Sequence, residues 1–155
     1  MRLEYFQLID RITDLRLAER TIRTEATVPT ESTIFEGHFP GYPLMPGVLL
    51  IEAMAQTAGW LVIAATRFSR MPFLVGVKDA KLRTFVNPGE TLSLSAELVH
   101  EGSGYAVTKA KIATDKPICD AEIRFKVLDF PNDEFRARMD EWATRLQFPR
   151  EALHA

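Results

Sequence analysis

The chain has 155 residues, a formal net charge of -2 and one cysteine. That length, with no break in composition, predicts one domain whose core needs no staples. The near-neutral balance excludes a global field for nucleic acid or an anionic membrane. The lone Cys119 excludes an internal disulfide and fits a reducing compartment.

The start, MRLEYFQLIDRI, carries acidic residues early and lacks the continuous apolar core of a signal peptide, so a cytoplasmic protein is expected. Leu3, Tyr5, Phe6, Leu8, Ile9 and Ile12 recur mostly at spacings of three and four and predict a short amphipathic helix. Ile22, Ala26 and Val28 alternate roughly with period two and predict a strand ending at Pro29. Thr30 to Thr33 reads as a polar connection, and a loop dense in Gly and Pro follows, holding His38.

From Gly47 to Ala65 the chain is almost continuously apolar. Its length approaches that of a membrane span. Glu52 and Gln56 in its first half argue against insertion, and no cluster of Lys and Arg flanks it. A helix buried on nearly all sides is the expectation. After Pro72 the pattern is β. Phe73 to Val77 reads as a strand continuing through Ala80, Leu82 and Phe85, with Asn87-Pro88-Gly89 a turn. Leu92, Leu94, Ala96 and Leu98 alternate with polar residues, as in a half-buried antiparallel strand. Glu101 to Gly104 predicts a hairpin loop, Tyr105 to Ile112 its return strand, and Ile118 to Leu128 the last long strand. Cys119 on that strand reads as a small apolar residue. Tyr5, Phe6, Phe73, Phe85 and Phe125 are expected in the core, and His100 and His154 on the surface. Beyond Pro131, Asn132 or Asp133 is a good helix cap, and Phe135, Met139, Trp142 and Leu146 follow at helical spacing, with fraying from Pro149.

Periodicity leaves this order as one α+β option among several. The chemistry concentrates between Phe35 and Gln56. His38, held between prolines, can act as a base near neutral pH. Glu52 lies near a helix N-terminus, where the dipole favours a carboxylate, yet apolar neighbours oppose charge, which suits a proton donor. Gln56, one turn on, faces the same side and can orient it. The first amides near Gly47 and Val48 can hold an oxygen that gains negative charge. A structural histidine and a buried, paired glutamate explain the same residues about as well. The scattered histidines offer no metal-ligand spacing.

Gly37-His38-Phe39-Pro40-Gly41, then Pro43, Pro46-Gly47-Val48 and Glu52-Ala53-Met54-Ala55-Gln56, closely resembles the FabZ-type 3-hydroxyacyl-[acyl carrier protein] dehydratases. The likeness runs from the start to Leu128 and fades beyond Phe130. It implies a hotdog fold over residues 1–130, an antiparallel sheet wrapped around a long central apolar helix. Residues 131–155 would be a helical tail packed on the same domain or on a partner. It implies a homodimer with shared sites, sometimes a trimer of dimers, where His38 of one subunit meets Glu52 of the other. His38 would take the C2 proton, Glu52 would help the C3 hydroxyl leave, and the amide near Gly47 or Val48 would bind the thioester carbonyl. Glu52 and Val48 follow the FabZ pattern, not the aspartate and cysteine of FabA-type enzymes, so isomerisation is not expected. No cofactor is implied; the prosthetic group belongs to the acyl carrier protein. Met45, Leu49, Met54 and Phe73 are candidates for an acyl-tunnel wall, and Lys78, Lys81 and Arg83 for a basic rim facing the carrier. The segments LEYFQLIDRI, MPFLVGVKDAKLRTFV and EGSGYAVTKAKI resemble a very-long-chain branch linked to lipid A. A hotdog thioesterase and a non-catalytic acyl-carrier-binding subunit stay open as alternatives.

Overall fold

Alternation along Leu92–Leu98 sets the sheet. In the computed structural model, which describes residues 1–154, strand β4 (Thr91–Gly102) buries Leu92, Leu94, Ala96 and Leu98 and turns the residues between them outward. Among the described residues six strands form one antiparallel sheet in the order β1-β2-β4-β5-β6-β3. The others are β1 (Arg11–Arg16), β2 (Thr21–Thr27), β3 (Arg70–Leu82), β5 (Tyr105–Ala113) and β6 (Pro117–Asp129).

The sheet curls around helix α2 (Gly47–Ala65), which packs against β2, β3, β4, β5 and β6. This is the hotdog arrangement that the resemblance implies. Because the sheet covers most of its circumference, α2 needs no polar face: Leu50, Ala53, Met54, Ala58, Leu61, Val62 and Ile63 are buried. The helix is long and apolar enough to cross a membrane, but most of it is buried inside this fold. One buried polar link ties helix to sheet, the Thr24–Thr57 hydroxyl pair at 2.8 Å.

Three expectations are corrected. The residues Leu3–Ile12 do not form one helix. A 3-10 turn covers Leu3–Tyr5 and ends where Phe6 adopts φ 55. The chain then runs extended, because tertiary bonds claim its backbone: the Leu8 amide donates to Gln56 and the Asp10 amide to the Glu25 carbonyl. Second, β1 is an additional strand. A bulge between Ile12 and Asp14 puts its buried residues, Ile12 and Leu15, three apart and erases the period of two. Third, of the aromatic residues expected in the core only Phe125 is buried there. Phe73 is half-buried, while Tyr5, Phe6 and Phe85 are exposed.

Helix α1 (Thr33–Gly37), capped by the Ser32 side chain, runs from the last residue of the expected polar connection into what was expected to be the start of the loop. Helix α3 (Asp133–Arg145), capped by Asn132, packs on its own domain. Its last turn and the residues just after it bury Ala143, Leu146 and Phe148, and the Leu146 carbonyl accepts from the Ile12 amide at 2.8 Å. From Pro149 the chain forms a further 3-10 turn, Arg150–His154, where fraying was expected; Ala155 lies outside the described residues.

Candidate active site

His38 sits at the C-terminal end of α1, its amide bonded to the Ile34 carbonyl at 3.0 Å. The loop after it is closed by two backbone bonds between Phe39 and Tyr42 and by Leu44 donating to the His38 carbonyl. A cis peptide joins His38 to Phe39, whose ring stacks on the imidazole at 4.1 Å. Nδ1 of His38 lies 3.0 Å from the Leu44 carbonyl oxygen. A carbonyl only accepts, so Nδ1 carries the proton and the neutral ring keeps its lone pair on Nε2. This half-buried imidazole is therefore oriented as a base.

The entry to α1 is held from the other side. The Glu4 carboxylate accepts from the Ser32 hydroxyl at 2.6 Å, the Thr33 amide at 2.9 Å and the Thr33 hydroxyl at 3.1 Å. The Ser32 bond, followed by backbone amide bonds, pulls its pKa down to about 2. Sequence reading missed this clamp, which fixes the element that presents His38.

Helix α2 begins at Gly47 with Pro46 as cap and no side-chain cap bond. The Leu49 and Leu50 amides turn back to the Pro46 carbonyl. Among the described residues the Gly47 and Val48 amides have no acceptor, so they remain donors at the positive end of the dipole. The Leu82 side chain passes 2.5 Å from where a Cβ on Gly47 would lie. Val48, next to it, is 72% exposed.

Glu52 is half-buried on the side of α2 left open by the sheet. Gln56 joins it to the N-terminal segment. Its Nε2 donates to the Glu52 carboxylate at 3.2 Å and to the Phe6 carbonyl at 2.7 Å, and its Oε1 accepts from the Leu8 amide at 3.2 Å. Both ends of the amide are thus assigned by their partners, and one Glu52 oxygen is fixed. Glu52 and Gln56 open into a groove of about 320 Å³ whose other lining residues are apolar. His38, Met45 and Phe73 do not line it. Met45, Leu49 and Met54 lie in the core, with Met54 3.9 Å from the Cys119 sulfur. Burial, then the neighbouring Asp120 charge, pushes the Cys119 thiol up to about 11, which keeps it protonated and unreactive. Among the described residues no hydrogen bond links His38 to Glu52, and no group of three or more His, Cys, Asp or Glu could hold a metal ion.

Lys78, Lys81 and Arg83 are all exposed along or just after β3. Arg83 is committed to Asp120 at 2.6 Å, whereas Lys78 and Lys81 carry no ion pair among the described residues.

A family model described as a FabA-like domain matches residues 2–122. The 3-hydroxyacyl-[acyl-carrier-protein] dehydratase FabZ of Lactiplantibacillus plantarum is 37% identical over 121 residues, covering 77% of this chain and 82% of that protein. The FabZ of Chlamydia pneumoniae is 35% identical over 129 residues, covering 80% of this chain and 84% of that protein. Among solved structures, a conserved protein from Pseudomonas aeruginosa aligns with TM-score 0.63 at 20% identity, covering 81% of this chain and 91% of that one. A hypothetical thioesterase from Streptococcus pneumoniae, solved with coenzyme A, aligns with TM-score 0.62 at 15% identity, covering 79% and 88%. At those identities the structures speak for the fold alone. The sequence relatives speak for more: the chain belongs to the FabA-like family, and within it to the FabZ-type 3-hydroxyacyl-[acyl-carrier-protein] dehydratases.

Proposed function

We propose that this chain is a hydro-lyase of fatty acid biosynthesis, converting 3-hydroxyacyl-[acyl carrier protein] to the trans-2-enoyl thioester. The observation that carries the mechanism is the Nδ1 bond of His38 to Leu44, which leaves Nε2 as the base. Nε2 removes the C2 proton, and the electron pair moves onto the thioester carbonyl. The free amide of Gly47 or Val48 stabilises the oxygen charge that develops. Glu52, positioned by Gln56, gives a proton to the C3 hydroxyl, which leaves as water as the C2–C3 double bond forms. The proton held by His38 then returns to Glu52 through solvent.

The site is shared between two copies of the chain. Strand β3 ends the sheet with a free edge, and Leu74, Val75 and Val77 on it are exposed. An open apolar edge is a liability unless another strand covers it. A second β3 paired there would also bring a partner chain towards Glu52. Solution mass distinguishes the dimer from a trimer of dimers. Lys78 and Lys81 supply the basic rim for an acidic carrier protein, with Arg83 contributing less because Asp120 holds it. The setting is cytoplasmic, and very-long-chain lipid A synthesis is the finer assignment.

Incubation with a carrier-bound 3-hydroxyacyl thioester tests the reading by following enoyl product. His38→Ala and Glu52→Gln should each lower the rate about 100-fold or more, the usual worth of a positioned acid or base. Full activity in either variant would overturn the assigned roles. Free thiol release would instead mark a thioesterase, and binding without turnover a carrier-binding subunit.

A further inference from the structure

The groove that opens at Glu52 has a floor and a wall from different parts of the chain. Its floor is one stripe of α2: Glu52, Ala55, Gln56, Gly59, Trp60 and Ile63. These recur at spacings of three and four, so they share a face. The stripe covers eleven helical steps, about 16 Å at the usual rise per residue. The only charged and amide side chains, Glu52 and Gln56, stand together at one end. On the side facing that stripe stand Phe135, Met139 and Trp142 of α3.

These three α3 residues are half-buried, unlike Ala143, Leu146 and Phe148 further along, which are buried. The C-terminal end of α3 is thus packed down while its earlier turns stand over an open channel. The packed end is firmly placed. Phe148 meets the rings of Phe68 at 5.2 Å and Trp60 at 6.1 Å, and Arg150 donates to the Asp140 carboxylate, the Asp140 carbonyl and the Thr144 hydroxyl. The family match ends at residue 122, so the whole of α3 lies beyond the matched domain.

We propose that α3 is a specificity element: Phe135, Met139 and Trp142 form the far wall of the acyl-chain site, and the occupant is the unbranched apolar tail of the substrate. This rests on the dehydratase reading of Glu52. The polarity of the groove matches such a ligand, with a reacting head at the carboxyl and a methylene chain beyond it. Sixteen ångströms accommodates an extended chain of roughly a dozen bonds, taking about 1.2 Å per bond from fully extended backbone. Short acyl chains end before reaching the wall, and long ones lie against it.

The experiment compares kcat/KM for hydroxybutyryl and hydroxytetradecanoyl carrier thioesters. Met139→Trp, which fills the groove, should lower the long-to-short ratio about tenfold, the discrimination available to an apolar pocket. Trp142→Ala, which opens it, should raise the same ratio. Arg138→Ala, on the exposed face of the same helix, should leave the ratio unchanged. Both tryptophans of the chain line the groove, so tetradecanoyl-pantetheine should change the emission of the parent protein saturably while acetyl-pantetheine does not. Unchanged ratios in both groove variants, or no emission change, would overturn the wall. Absence of turnover with either substrate in the parent protein would overturn the dehydratase reading instead.

Discussion

Replacing Gln56 by Glu puts a second carboxylate where an amide now donates to Glu52 at 3.2 Å. Two unit charges about 4 Å apart repel by about 1 kcal/mol in water and about 4 kcal/mol at an effective dielectric of 20. Both side chains are half-buried, so the cost falls between those limits. The variant also loses its donor to the Phe6 carbonyl, worth about 1 kcal/mol and independent of pH. At pH 8 the expected destabilisation is therefore about 2–5 kcal/mol. The sign of the pH dependence follows from linkage. In the variant the folded state holds a proton on the carboxyl pair more tightly than the unfolded chain does. Its stability therefore recovers as pH falls through the raised folded value. At pH 5 about 1 kcal/mol should remain. Urea unfolding of parent and Gln56→Glu proteins at both pH values measures this. Equal losses at pH 8 and pH 5 would show that Gln56 does not face Glu52 and would remove the basis for calling it a positioning residue.

Other substitutions probe the supports of the site. Glu4, with a folded pKa of about 2, contributes stability that is fully present above its ordinary value of 4.5 and lost as pH falls towards 2. Glu4→Gln should flatten that part of the acid-unfolding curve followed by circular dichroism. Thr57→Val strands the buried Thr24 hydroxyl and should cost about 1–3 kcal/mol in denaturant titration. Val77→Lys, at an exposed position of β3, should change the stability of an isolated chain by no more than about 0.5 kcal/mol. If β3 pairs with its copy, sedimentation should show the variant as a monomer, with dehydration lost alongside.

Helix α2 was legible in sequence to both ends because Pro46-Gly47 opens it, and a run apolar almost all round, with Glu52 and Gln56 telling against a membrane, has to be buried within the fold. Strand β4 was legible because its alternation is unbroken from Leu92 to Leu98. Strand β1 was hidden by its bulge, and the first ten residues looked helical because a 3-10 turn followed by extended chain reproduces spacings of three and four by chance. Burial of aromatic residues misled for a different reason. Phe85 is 73% exposed on a single chain, and residue type does not tell whether a surface is covered by its own chain or by another.

The motif around His38 and Glu52 was readable, and so was the apolar face of α3. Two parts of the candidate site were not. Gln56 reaches backbone groups of Phe6 and Leu8, about fifty positions away in sequence, which no local pattern records. The groove stripe on α2 is invisible within a helix that is apolar almost all round; only the packing of α3 shows which face stays open.

In the shared site proposed above, two chains build each dehydratase site, with His38 from one and Glu52 from the other. Mixing unfolded His38→Ala and Glu52→Gln chains, each inactive alone, and refolding them together tests it directly. Random pairing makes about half the dimers mixed, and each mixed dimer holds one intact site of two, so about a quarter of parental activity should return. If activity stays at the level of the separate variants while mixed dimers are present by mass, His38 and Glu52 act within one chain, and the shared site is contradicted.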